Sequence, residues 1–152
     1  MAFDAFLKIA GVPGESNDSK HKGEIDVLAF SWNIKQSIAP PGGAGGKAQV
    51  SDFSIIKRID SASPVLFGAV CGGELFKDAV FTVETAGGGP KGMSAFYKVT
   101  FTDVLVSSVT PGGGGGDQLT EQVSLNFSKV EIEYRSQRGQ VKTEVCDFAR
   151  GE

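Results

Sequence analysis

The sequence predicts an all-β fold, a barrel or closed sandwich carrying one short helix. Three observations predict it. Most apolar stretches alternate with period 2, the spacing of a strand with one buried face. Two of the long stretches change apolar parity partway, which implies bulges that let a sheet curl. Only one stretch carries helix signals. The chain has 152 residues, which fits a single domain over 1–152.

The elements follow in order. Phe6 to Ile9 opens a short strand, ended by Gly11, Pro13 and Gly14. Glu15 to Lys22 is polar and reads as a loop. Ile25 to Gln36 reads as one long strand, with Leu28, Phe30 and Trp32 on the core face and Val27, Ala29, Ser31 and Asn33 on the other. The run Pro40 to Gly46 is a glycine-rich loop. Lys47 to Ile59 returns to strand character. Ser63 and Pro64 look like an N-cap and first helical position, before an apolar body of Val65, Leu66, Phe67, Ala69 and Val70. Gly72 and Gly73 are placed to end this helix after about two turns.

Strands resume at Leu75 to Glu84. Ala86 to Gly92 is a turn. In Ala95 to Val106, Tyr97, Val99 and Phe101 share one parity and Val104 and Val106 the other, so a bulge or sharp twist is expected near Asp103. Pro111 to Asp117 is a loop. Val123, Leu125 and Phe127 then give way to Val130, Ile132 and Tyr134, which places a second bulge near Ser128. Val141 to Phe148 is the last strand.

Composition excludes several classes. Eighteen acidic against fifteen basic residues leave a net charge of −3, without the basic excess of a nucleic-acid binder. Met1 to Ala10 carries Asp4 and no long apolar run, so neither a signal peptide nor membrane insertion is expected. Cys71 and Cys146 are expected to be buried, reduced thiols.

The sequence offers no catalytic constellation. His21 is the single histidine, too few for a metal site built with it. It reads as a surface or loop-pinning residue. No serine lies in a GxSxG elbow, and neither cysteine has a nucleophile signature. The run ending in Gly46 and Lys47 approaches a phosphate loop. However, Pro41 stands where that motif needs its first glycine, and Ala48 where it needs a hydroxyl. No enzyme activity, metal or cofactor is expected. Trp32 reads as a core aromatic.

A resemblance adds to this reading. Ala2 to Ser16 (AFDAFLKIAGVPGES), His21 to Trp32 (HKGEIDVLAFSW), Val50 to Lys57 (VSDFSIIK), Ala62 to Cys71 (ASPVLFGAVC), Val104 to Ser108 (VLVSS), Thr120 to Phe127 (TEQVSLNF) and Tyr134 to Gln137 (YRSQ) stand in the order of the Hcp family of bacterial type VI secretion. The chain departs from the family in a shorter loop holding Pro40 and Pro41, and in Val145, Cys146 and Asp147 near its end.

The resemblance implies a two-sheet antiparallel β-barrel with one short flanking α-helix. It implies a hexameric ring of identical copies, stacked into a tube that a contractile sheath expels behind a spike, with small effector proteins in the lumen. It also implies residence in the bacterial cytoplasm before firing, then secretion or delivery to a target cell. In that frame Ala29, Ser31 and Asn33 are lumen candidates. The loop Pro40, Pro41, Gly42, Gly43, Ala44, Gly45, Gly46 and Lys47 is expected to project beyond the barrel end and join stacked rings. The rival readings are a monomeric ligand-binding β-domain and a secreted hydrolase effector.

Overall fold

The structure is a computed structural model, and it describes residues 3–18, 20–36, 48–85, 96–112, 119–136 and 139–148. The described residues form eleven strands and one helix: β1 (Phe3–Ile9), β2 (Ile25–Val27), β3 (Ala29–Ser31), β4 (Ile34–Gln36), β5 (Ala48–Val50), β6 (Phe53–Arg58), α1 (Ala62–Gly72), β7 (Leu75–Thr85), β8 (Phe96–Gly112), β9 (Thr120–Asn126), β10 (Lys129–Arg135) and β11 (Val141–Asp147). Among the described residues the strand pairings are all antiparallel. The all-β class with one helix is as predicted.

The long strand β8 organises the sheet. One edge pairs with β7; the other pairs with β10 along Phe96 to Thr102 and with β9 along Leu105 to Gly112. From there β10 leads to β11, while β9 leads to β6 and β3. The two branches part at Asp103, which has φ 56°. Buried Val99 and Phe101 lie before it, and buried Val104 and Val106 after it. The opposing chain breaks at the same level, where β9 ends at Asn126 and β10 begins at Lys129. Both expected irregularities are therefore present, and they face each other. A third, between Val106 and Ser108, has no counterpart in the sequence reading. Pro111 and Gly112, read as loop, still pair in β8.

A second corner corrects the reading of Ile25 to Gln36 as one strand. It is three short strands. β2 pairs with β1, whereas β3 pairs with β6. Leu28 sits at the turn between them, and its N–H donates to Ile56 O at 2.8 Å. Parity consequently flips: Val27 is buried at 7% and Leu28 exposed at 39%, the reverse of the predicted faces. Phe30 and Trp32 do pack on the core. Because β2 and β3 end the pairing path at opposite sides, strand pairing does not close the sheet into an uninterrupted barrel. The chain itself joins the two ends through Leu28.

Aromatic rings fill the space between the branches. Phe53 lies 4.8 Å from Phe101 and 4.9 Å from Phe81 between ring centroids, and Phe101 lies 4.6 Å from Phe127. Trp32 meets Phe53, Phe101 and Phe127 edge-on. Such tilted contacts suit the ring quadrupoles.

The helix buries Ala62, Leu66 and Ala69, a stripe at i, i+4 and i+7. Val65 and Phe67 face outward. Cys71, expected in the core, is exposed because it lies off that stripe, while Cys146 is half-buried. Ser63 is not the N-cap. Asp60 Oδ1 accepts from Ala62 N at 2.9 Å, and Ser63 Oγ accepts from Asp60 N at 2.9 Å. This reciprocal pair has the logic of a capping box, begun before the expected position. At the other end, Gly73 takes φ 63°, and the N–H of Glu74 reaches Ala69 O, as a glycine terminator should. The helix has 11 residues, longer than expected.

Beneath the helix start lies a buried ion cluster. Lys57 is fully buried, and its Nζ donates to Glu121 Oε2 at 2.5 Å and to Asp60 Oδ1 at 2.8 Å. Ser63 Oγ donates to the same Glu121 oxygen. Helix start, β6 and β9 are thus tied at one point.

Candidate assembly surfaces

Strand alternation sends Phe53, Ile55 and Lys57 of β6 inward and leaves Ser54 and Ile56 on the opposite face. The register then lines up one row across four strands: Ser31, Ser54, Ser124 and Ser108. The hydroxyls of Ser54 and Ser124 lie 3.1 Å apart. A neighbouring row holds Ala29, Ile56, Gln122 and Thr110. These two rows carry no charge. Ala29, Phe30, Ser31, Ser54, Ile56 and Gln122 line a shallow depression of about 200 Å³.

The structure brings Ala29 and Ser31 together on this exposed face. It places Asn33 elsewhere, at the base of the β4–β5 hairpin, where its N–H donates to Ser51 Oγ at 2.8 Å. Ser54, Ser108, Gln122 and Ser124 were not singled out from the sequence. Their signal was present: in SDFSIIK and TEQVSLN the small polar residues alternate with the core residues.

Among the described residues β4 and β5 pair only with each other, apart from the nine-stranded sheet, with Gln36 opposite Ala48. The expected stacking loop, Pro40 to Lys47, connects them and lies outside the described residues.

His21 pins the polar loop before β2. Its ring stacks on Phe6 with centroids 4.4 Å apart. Nδ1 lies 3.1 Å from Glu24 Oε2, and Nε2 lies 2.9 Å from Glu84 Oε1 on β7. A carboxylate offers only acceptors, so both bonds form when both ring nitrogens carry protons. Burial pulls the His21 pKa down, but the bonds to Glu84 and Glu24 outweigh it and leave the pKa above its ordinary value. The loop behind it is closed by backbone bonds, including Gly14 N to Gly23 O at 2.8 Å. A Cβ at Gly14 would run into the Glu24 carbonyl, so only glycine fits this close approach. Among the described residues, no group of three or more His, Cys, Asp or Glu is placed to hold a metal ion.

This architecture, an antiparallel sheet folded at two corners with one capped helix, defines a class of known proteins. Residues 6–134 match the family described as "Type VI secretion system effector, Hcp", and the chain belongs to that family. It is 44% identical over 142 residues to protein hcp1 of Pseudomonas aeruginosa, a match covering 91% of this chain and 86% of that one. The crystal structure of Hcp1 from Salmonella typhimurium is 38% identical and superposes with a TM-score of 0.85 over 100% of this chain and 99% of that one. A type VI secretion system effector from Yersinia pestis is 32% identical, with a TM-score of 0.78 over 95% and 99% of the two chains.

Proposed function

We propose that this chain is the tube protein of a type VI secretion system. Six copies close a ring, rings stack into the inner tube, and a sheath expels that tube behind a spike. Heterologous contacts that close on rotation are what such a ring requires. The chain works without a catalytic step of its own. It waits in the bacterial cytoplasm and leaves the cell when the apparatus fires.

The observation that carries the reading, within this family, is the uncharged face of serines, Ala29 and Gln122. Small hydroxyl side chains leave space and offer weak, non-selective hydrogen bonds. That suits a channel wall which must hold small effector proteins and then release them. On this reading Ala29 and Ser31 face the lumen. Asn33, on the hairpin, belongs nearer the ring's end, where the loop from Pro40 to Lys47 would meet the next ring. The β4–β5 hairpin supports that role because it stands apart from the main sheet.

Native mass spectrometry tests the ring. A species of six times the 15.9 kDa chain is expected, with ring-shaped particles by negative-stain imaging. A homogeneous monomer across the whole concentration range measured would overturn the reading.

A further inference from the structure

Beside the His21 clamp lies a cleft of about 340 Å³, walled by the loop on one side and floored by the outward face of β1, β7 and β8. Its two carboxylates, Glu24 and Glu84, both turn to the imidazole of His21. Its three ammonium groups do not share that arrangement. Lys8, Lys20 and Lys98 line the cleft, and among the described residues none of them has an ion-pair partner. Like charges gathered at one concavity repel, and here the two acids that line the cleft both face His21, while Glu133 on β10 lies opposite Lys98. The gathering occurs on a chain whose net charge is −3. Val80 and Phe96 also line the cleft, with the Arg135 guanidinium over the Phe96 ring.

We infer that this cleft binds an acidic peptide segment of a partner protein, with carboxylates on Lys8, Lys20 and Lys98. Two features favour a peptide over a compact phosphate. The cations are lysines, point charges without the bidentate fork of arginine. They are also spread out. The register sets Lys8 opposite Val80 and Lys98 opposite Thr82, with β7 lying between the two lysine-bearing strands. Strand spacing and rise then separate the two Cα atoms by about 12 Å. An extended segment with acids at alternate positions spans that distance on one face. This inference does not depend on the ring.

The test is fluorescence anisotropy of a dye-labelled, end-blocked Glu-Leu-Glu-Leu-Glu peptide titrated with the full chain. Saturable binding that weakens as salt screens the charges is expected. Lys8→Gln with Lys98→Gln should weaken it about tenfold or more. Lys8→Arg with Lys98→Arg keeps the charge and should bind, which guards against a folding defect in the first variant. Lys142→Gln on β11 should change nothing. Equal binding by wild type and the glutamine variant overturns the inference, as does absence of binding at low salt. Displacement of the peptide by tripolyphosphate at far lower concentration than by unlabelled peptide also overturns it, in favour of a compact-anion site.

Discussion

Asp103 and Ser128 face each other across the ladder of β8, and Ser128 Oγ donates to Asp103 Oδ2 at 2.9 Å. Ser128 N also donates to Thr102 O at 3.0 Å. Each of the two chains changes parity here, so each keeps its apolar residues inside while the sheet divides into two branches. The bond ties the two irregularities into one corner. Ser128→Ala should cost about 0.5–1.5 kcal/mol, the net value of one hydrogen bond. Asp103→Val should cost more, because a β-branched residue resists φ 56° and the bond is lost as well. Urea unfolding of the two variants checks the order. An equal or smaller loss for Asp103→Val would remove the corner from this account.

The sequence showed that corner only in part. Parity in each strand located Asp103 and Ser128 separately, because side-chain alternation is local. That they oppose one another depends on register between distant segments, which alternation does not encode. Leu28 was misread for a related reason. A leucine among alternating apolar residues reads as core, and the corner that exposes it arises from β2 and β3 choosing different partners. The serine face was half legible: Ser31 stood out, while Ser54, Ser108 and Ser124 join it only through cross-strand pairing. Lys57 gave no signal of burial, since a lysine on a strand usually marks the wet face.

Lys57 and Glu121 should act as a unit. Removing one partner leaves the other charge buried, which costs about 3–5 kcal/mol. Lys57→Met alone and Glu121→Leu alone should each destabilise by about that amount. The double variant should lose much less than the sum, since no uncompensated charge remains between these two positions. Equilibrium unfolding of the four proteins gives the coupling. Additive losses would mean that Asp60 and Ser63 satisfy Lys57 or Glu121 without the pair.

His21 makes stability depend on pH with a defined sign. Its folded pKa lies above the ordinary histidine value of 6.5 because Glu84 and Glu24 outweigh burial. The folded state therefore holds the proton more tightly than the unfolded chain. The contribution is complete below about pH 6.5 and is lost as pH rises through the higher folded value. His21→Gln should abolish that loss while lowering stability at acidic pH. Urea midpoints measured across this range for both proteins decide it. A wild-type midpoint that rises relative to His21→Gln as the imidazole deprotonates would reverse the assignment.

Ser31→Gln tests the channel wall. Ser31 is exposed and lies in register with Ser54. A glutamine there should fill the depression beside Ile56 and Gln122 and extend across the serine row. Ring mass should be unchanged, while co-purification of effectors falls several-fold. The substitution removes little apolar contact, so stability should move by less than about 0.5 kcal/mol. Loss of the ring with effector binding intact in the dissociated chain would place Ser31 at a contact between copies.

The loop from Pro40 to Lys47 tests stacking. Gln36 and Ala48 are the last described pair of the β4–β5 ladder, and the loop falls in the segment that connects them. Among the described residues that hairpin has no ladder to the nine-stranded sheet, so shortening its connection leaves the described pairings of that sheet in place. The remaining residues still span the hairpin, because two residues suffice for a tight turn. On the proposed assembly, closing the ring and stacking rings use different directions of contact, and this segment is assigned to the second. Deletion of Gly42 to Gly46 should leave the sixfold mass intact by native mass spectrometry. It should also abolish long tubes by electron microscopy and reduce the protein in culture supernatants. Dissociation into monomers on deletion would assign the loop to the contact between neighbours within a ring. Unchanged tubes and unchanged secretion would leave the hairpin tip without a role in assembly.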